Sequence, residues 1–259
     1  MGHTASIPVT SVDDVTVVTV NYRTLQHTRR CIETLLSLYS EVKLIIVDNG
    51  SADESLKHLS SLAARNKQVV LLANDRNIFH GPALNQALLT VRSRFAFLLD
   101  SDCEVTGGGF LERMLGTFER DPGLYAIGKL GWTDRFGYGP ITRHQHMTGY
   151  VHPFAAMFDV DKYKRLPPAV HHGAPLYRNM WGARRAGYHL AHDYIENDIT
   201  HVGKVTARSH GYGYDRRLEW QYRLHRVENA LWRGGAAVLN RRLVPPVLLP
   251  GRSGGTGGP

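Results

Sequence analysis

At 259 residues, 42% of them hydrophobic and 21% charged, the chain has an ordinary globular composition that excludes wholesale disorder. Two cysteines, Cys31 and Cys103, exclude a disulfide-dense secreted scaffold and a Cys-based zinc site. The excess of Lys and Arg (31) over Asp and Glu (23) leaves a net charge of +8, which suits an anionic ligand without naming one. No stretch approaches the roughly 20 apolar residues of a membrane span. The opening MGHTASIPVTSVDDV lacks the charged flank and apolar run of a secretory signal, so a cytoplasmic protein is expected.

The first hundred residues repeat one rhythm, a short apolar run and then an amphipathic segment. Val15 to Val20 is β-branched throughout and predicts a strand buried on both faces. Cys31, Ile32, Leu35 and Leu38 follow at helical spacing. Val42 to Val47 predicts a second strand, and Asp48-Asn49-Gly50 a turn. Ser51-Ala52-Asp53-Glu54 has the form of a capping box, which predicts a helix from Ala52. Val69 to Ala73 and Phe95 to Leu99 predict two more strands, with a helix through Ala83, Leu84, Ala87 and Leu88 between them. After Val105 the rhythm breaks. A helix carries Phe110, Leu111, Met114 and Phe118, and residues 128–153 are expected to be loops with short strands. Residues 176–188 predict a helix, 194–199 a strand and 215–232 a basic amphipathic helix. The tail GRSGGTGGP is flexible by composition. Alternating strands and helices make this an α/β chain with a mainly parallel sheet flanked by helices.

Ligands of such sheets bind at the carboxyl ends of the strands. Leu99 runs straight into Asp100-Ser101-Asp102, two carboxylates one residue apart. Ionised at neutral pH, they can share a divalent cation, Mn2+ or Mg2+, that neutralises a diphosphate; alternatively they cap the next turn. Asp48, after the second strand, can accept from a base N–H, and Asn21 and Tyr22, after the first, could flank that base. Arg76 and Asn77 follow the third strand. His80-Gly81 opens the next helix, whose N-terminus could face phosphate.

Val17 to Tyr22, Ile46 to Asp53, Asn74 to Asn77 and Leu98 to Asp102 together resemble the successive signatures of family 2 glycosyltransferases of the GT-A fold. The likeness is specific over about residues 15–105 and looser to about 205. It implies a Rossmann-like GT-A domain with a fused acceptor-side subdomain. Residues 1–105 would form the nucleotide-sugar half and 106–240 the acceptor half, with 241–259 as a tail. By that likeness Asn21, Tyr22, Asp48 and Ser101 bind the nucleoside end of a nucleoside-diphosphate sugar, and Arg76 and Asn77 line its sugar or phosphates. Asp100 and Asp102 become the metal site. His201, in a segment resembling the strand end that carries a histidine in many members, is a candidate third metal residue, since neutral imidazole ligates beside carboxylates; alternatively it contacts phosphate or is structural.

One departure stands out. Where inverting members carry an acidic pair, this chain has Pro175 and Leu176. The base that an inverting transfer needs then falls to His171 or His172, or to a carboxylate such as Asp134, and a retaining reaction stays open. The acceptor is expected to bear a hydroxyl. Arg216, Arg217, Arg223 and Arg226 could meet an anionic acceptor or a membrane surface. The basic residues lack an interleaved aromatic platform, so nucleic acid is not an expected partner. Rival readings are a nucleotide-sugar-binding protein without turnover and a metal-dependent nucleotidyltransferase. The glycine-rich phosphate loop of the latter is replaced here by Asn21-Tyr22-Arg23-Thr24.

Overall fold

A computed structural model describes residues 10–133, 148–170 and 174–203. The β-branched run forms strand β1 (Val15–Asn21), and β2 (Lys43–Asp48), β3 (Val69–Ala73) and β4 (Phe95–Leu99) lie parallel beside it. Strands β6 (Leu124–Thr133), β7 (Thr148–Asp159) and β8 (His189–His192) complete a seven-stranded sheet in the order β3-β2-β1-β4-β7-β6-β8. Only β7 runs against the others, being antiparallel to both β4 and β6 while β8 is parallel to β6. The expected mainly parallel α/β sheet is therefore present. A separate ladder pairs β5 (Cys103–Val105) with β9 (Ile199–His201).

Alternation along the central strands divides the core into two layers. Val15, Val17, Leu44, Ile46, Phe95, Phe97 and Leu99 face α1 (Leu25–Leu38), α2 (Glu54–Arg65) and α4 (Phe110–Arg120). Val18, Val20, Ile45, Val47, Ala96 and Leu98 face α3 (His80–Thr90), the short α5 (Val160–Tyr163) and α6 (Tyr177–Arg185). With helices on both faces, every residue of β1 and β4 is buried. This is why β4 reads as an unbroken apolar run and β1 as a β-branched one.

Three local expectations are corrected. The helix after Ser51 starts at Glu54, and Asp53 caps it by accepting from the Ser55 N–H; the Ser51 hydroxyl is drawn to Asp48 instead. Residues 128–133 and 148–153 belong to two long strands rather than short ones, and residues 134–147 lie outside the described residues. Gly128 and Pro153 had disguised them: a Cβ at Gly128 would lie 2.7 Å from the Ala155 carbonyl oxygen, and Pro153 falls where the β6–β7 register breaks. Of the strand expected over 194–199, Ile195–Asn197 form a 3-10 turn and only Ile199 is extended, as the first residue of β9. The amphipathic segment 215–232 lies outside the described residues. No helix among those described is long and apolar enough to cross a membrane.

Candidate functional site

Asn21 and Asp48 end adjacent parallel strands and are register partners, so their side chains meet at the carboxyl edge of the sheet. Asn21 Nδ2 donates to Asp48 Oδ1 (2.7 Å) and to Ser51 Oγ (3.0 Å). Ser51 donates its hydroxyl to Asp48 Oδ1 (2.6 Å) and its backbone N–H to Oδ2 (3.2 Å). Thr28 and Thr24, on and just before the first turn of α1, donate to Asn21 Oδ1, and Thr24 Oγ1 lies 3.5 Å from Ser101 Oγ. Asn21, Asp48, Ser51 and Ser101 are all buried. Each buried polar group here has partners, as the interior demands. Three of the expected nucleoside residues are thus brought into one cluster. Tyr22, half-buried, lies beside it with the Arg23 guanidinium carbon 5.3 Å from its ring centroid, and Arg23 Nε donates to the Ser51 carbonyl.

The turn after β3 docks on the turn after β2. Asn77 Oδ1 accepts from Asn49 Nδ2 (3.0 Å) and the Phe79 N–H (2.8 Å), while Asn49 Oδ1 accepts from Asn74 and from the Ile78 N–H. Gly50, at φ +73°, makes this approach possible: a Cβ there would stand 2.3 Å from the Arg76 carbonyl carbon. Asn77 therefore holds the loop together, and Arg76 is left exposed at the rim.

At the end of β4, Asp100 lies between two imidazoles. His80 Nε2, at the start of α3, is 3.7 Å from Oδ1, and His201 Nε2 is 3.9 Å from Oδ2. His201 Nε2 also lies 3.2 Å from Asp102 Oδ1. The His201 ring is stacked parallel on Phe154, centroids 4.7 Å apart. Burial raises the pKa of Asp100, with Asp102 adding to the shift and His80 and His201 opposing it. Burial works against charge on His201, but the hydrogen bond to Asp102 and the charge of Asp100 outweigh it, and its pKa is raised.

Ligand atoms of Asp102, Cys103 and His201 lie within 4.8 Å of one another. The Cys103 thiol is buried, which pushes its pKa far up, and it points at the Phe154 carbonyl. The Asp102 carboxylate and the His201 imidazole, with the Asp100 carboxylate 3.9 Å from His201 Nε2, offer oxygen and nitrogen donors of the kind a hard or borderline divalent cation takes. His171 and His172 lie outside the described residues, as do Asp134 and the basic segment 215–232. The start of α6 is apolar, with Pro175 and Leu176 both buried. Sequence reasoning missed Ser51, Thr28 and Phe154 as parts of the site. Thr24 and Thr28, four apart at the start of a helical pattern that follows the strand end, carried a signal of the first turn of α1 facing Asn21.

Residues 16–180 match the model of glycosyl transferase family 2. An uncharacterized glycosyltransferase of Haemophilus influenzae is 22% identical over 115 residues, which is 44% of this chain and 35% of that protein. Protein y4gI of Sinorhizobium fredii is 27% identical over 131 residues, 46% of this chain and 14% of its own length. The chain thus spans about a third or less of these curated relatives. In fold it is similar to the mannosyltransferase PcManGT of Pyrobaculum calidifontis, whose structure holds GDP-Man and Mn2+. That likeness has a TM-score of 0.55 at 15% identity and covers 70% of this chain and 54% of the other.

Proposed function

This chain belongs to glycosyl transferase family 2, and on that premise we propose that it transfers a sugar from a nucleoside diphosphate to a hydroxyl-bearing acceptor. The observation that carries the reading is the convergence of Asp100, Asp102 and His201 at the end of the strand next to the Asn21–Asp48 cluster. Asn21, Tyr22, Asp48 and Ser101 take the nucleoside end. Asp48 Oδ2 accepts one N–H, from Ser51, and a carboxylate oxygen can accept a second from a base. Arg76 at the rim and the Asn77 turn take the sugar or phosphates.

Asp100, Asp102 and His201 would hold a divalent cation, Mn2+ or Mg2+, which when bound offsets charge on the diphosphate. Donor binding to the Mn2+-loaded PcManGT fold supports this choice. The chain's own contribution is orientation. Phe154 fixes the His201 ring, and the β5–β9 ladder fixes His201 against Asp102, so the site needs little reorganisation. His171 or His172 accepts the acceptor's proton in an inverting transfer. The whole protein works in the cytoplasm in this reading.

A thermal-shift panel of UDP, GDP, dTDP and CDP, each with and without MnCl2, tests the proposal. A ligand at 100 times its Kd stabilises the fold by about 2.7 kcal/mol. A flat response to all four overturns it. A second reading, nucleotide-sugar binding without turnover, is favoured by the buried Pro175 and Leu176 at the start of α6. Hydrolysis or transfer of a bound donor by the purified protein excludes it.

A further inference from the structure

Arg113, near the start of α4, holds two carboxylates at once. Its Nε and Nη2 donate to Asp193 Oδ2 and Oδ1, each at 2.9 Å, and Nη2 also donates to Asp198 Oδ2 at 2.6 Å. Asp193 directly follows β8 and Asp198 directly precedes β9, so one guanidinium ties both ends of the Ile195–Asn197 turn to α4. The Asp193 and Asp198 side chains are only 7% and 17% exposed, and charges so withdrawn from water need a partner. The Asp198 carbonyl in turn accepts from the N–H groups of Thr106 (2.7 Å) and Gly107 (3.0 Å), just past β5.

His201 is the last residue of β9, three residues after Asp198, and lies 3.2 Å from Asp102. Asp102 follows β4, and β4 is itself fixed to α4. Phe110 packs on Phe97 and Phe118 on Phe95, with ring centroids 5.2 and 4.7 Å apart. The contacts therefore close a ring: from Asp102 back along β4 to α4, and from Arg113 through Asp198 and β9 to His201. A lone surface ion pair would fix little. A bidentate fork on a buried carboxylate fixes direction as well as distance. We propose that Arg113 is a positioning residue for the cation site: its clamp on Asp193 and Asp198 sets where β9 enters the β5–β9 ladder and so holds His201 against Asp102. The inference rests on the reading that Asp102 and His201 take a divalent cation. Arg113 acts through Asp198 and is not itself a ligand.

The test is a double-mutant cycle between Arg113→Met, which keeps the stem and removes the donors, and His201→Gln. Mn2+ alone is titrated into the millimolar range, so that weakened sites are still read, and unbound Mn2+ is followed by electron paramagnetic resonance. Arg113→Met is expected to weaken Mn2+ binding by roughly threefold to tenfold, at or below the effect of a direct outer partner of a ligand. Arg113→Lys keeps the charge and one ion pair, folds where the Met variant fails to, and loses less. On the His201→Gln background Arg113→Met changes Mn2+ affinity by less than about twofold, because the residue it positions is gone. Its melting temperature falls by the same amount on both backgrounds, which separates positioning from support of the fold. Wild-type Mn2+ affinity in folded Arg113→Met and Arg113→Lys overturns the inference and leaves the clamp purely structural. An equal loss with and without His201 overturns it as well. A wild type that binds no Mn2+ removes the metal reading and this inference together, a result distinct from variants that bind as the wild type does.

Discussion

His201 and Asp102 face each other at 3.2 Å across the short β5–β9 ladder, whose register pairs His201 with Cys103. Two strands of three residues each have little pairing energy of their own, yet they bring an imidazole to a carboxylate that is remote in sequence. If that pairing serves a cation, Asp102→Ala and His201→Gln each weaken Mn2+ binding by at least roughly tenfold, since even outer partners of metal ligands are worth 10–100-fold. Electron paramagnetic resonance of unbound Mn2+ during titration reads this directly. Unchanged binding in both variants, with intact circular dichroism, removes the metal assignment.

Asp48 accepts three hydrogen bonds inside the protein, from Asn21, the Ser51 hydroxyl and the Ser51 N–H. Asp48→Ala leaves these buried donors unmet, which predicts a loss of about 2–4 kcal/mol in urea unfolding. Asp48→Asn keeps the shape and is expected to fold. A base contact through Oδ2 predicts that this variant binds nucleoside diphosphate more weakly by about 1–3 kcal/mol while inorganic pyrophosphate binds unchanged. Equal losses for pyrophosphate would place Asp48's effect on the cluster and not on the base.

Gly50 is required for two separate reasons. Its φ of +73° is costly for a side chain, and a Cβ would sit 2.3 Å from the Arg76 carbonyl carbon and 2.6 Å from the Asn77 nitrogen. Backbone cannot yield as a flexible side-chain end can. Gly50→Ala is expected to destabilise by about 2–4 kcal/mol, combining strain with overpacking, and to loosen the Asn77 turn. Thermal unfolding within a degree of wild type would contradict the close docking of the two turns.

Strands β1, β2 and β4 and the Asp100-Ser101-Asp102 mouth were legible because burial on both faces leaves a run of apolar and β-branched residues that ends where polarity begins, whereas β3, a half-exposed edge strand, was legible from its Val-Val-Leu-Leu run alone. Ser51 was misread for a physical reason. Ser-x-x-Glu is the local pattern of a capping box, but Asp48 is a stronger partner for the hydroxyl and Asp53 is free to cap in its place. The antiparallel β6–β7 pair hid behind Gly128, Gly131, Gly149 and Pro153, residues that propensity assigns to loops. Phe154 under His201 could not be read at all, since it depends on β7 and β9 meeting in space.

Tyr39 joins α1 to α4: its hydroxyl accepts from the Gly109 N–H (2.7 Å) and donates to Glu112 Oε2 (3.1 Å). Burial, reinforced by the Glu112 charge, pushes the phenol up to about 12. An unfolded tyrosine titrates near 10, so the folded value is the higher one. The stabilisation is complete below pH 10 and is lost as pH rises through 12. Tyr39→Phe is expected to lower the urea midpoint at pH 8, by about 1 kcal/mol in stability, and to flatten the fall between pH 10 and 12. An unaltered slope would mean that other tyrosines dominate the alkaline limb.

The acceptor's proton is the last step that needs a residue. Neither Pro175 nor Leu176 can take it, and Asp100 and Asp102 are committed to the cation in the proposed reaction. A neutral imidazole with an ordinary pKa near 6.5 is mostly unprotonated at physiological pH and suits the task. Replacing His171 or His172 by Gln keeps size and polarity but removes the base. The acting residue's variant is expected to lose roughly 10²–10⁴ in kcat while the donor Kd holds, because general base catalysis contributes in the transition state alone. Near-normal turnover by both variants from pH 6 to 8 would move the base elsewhere or make the reaction retaining. The anomeric configuration of the product, read by NMR, separates those two outcomes.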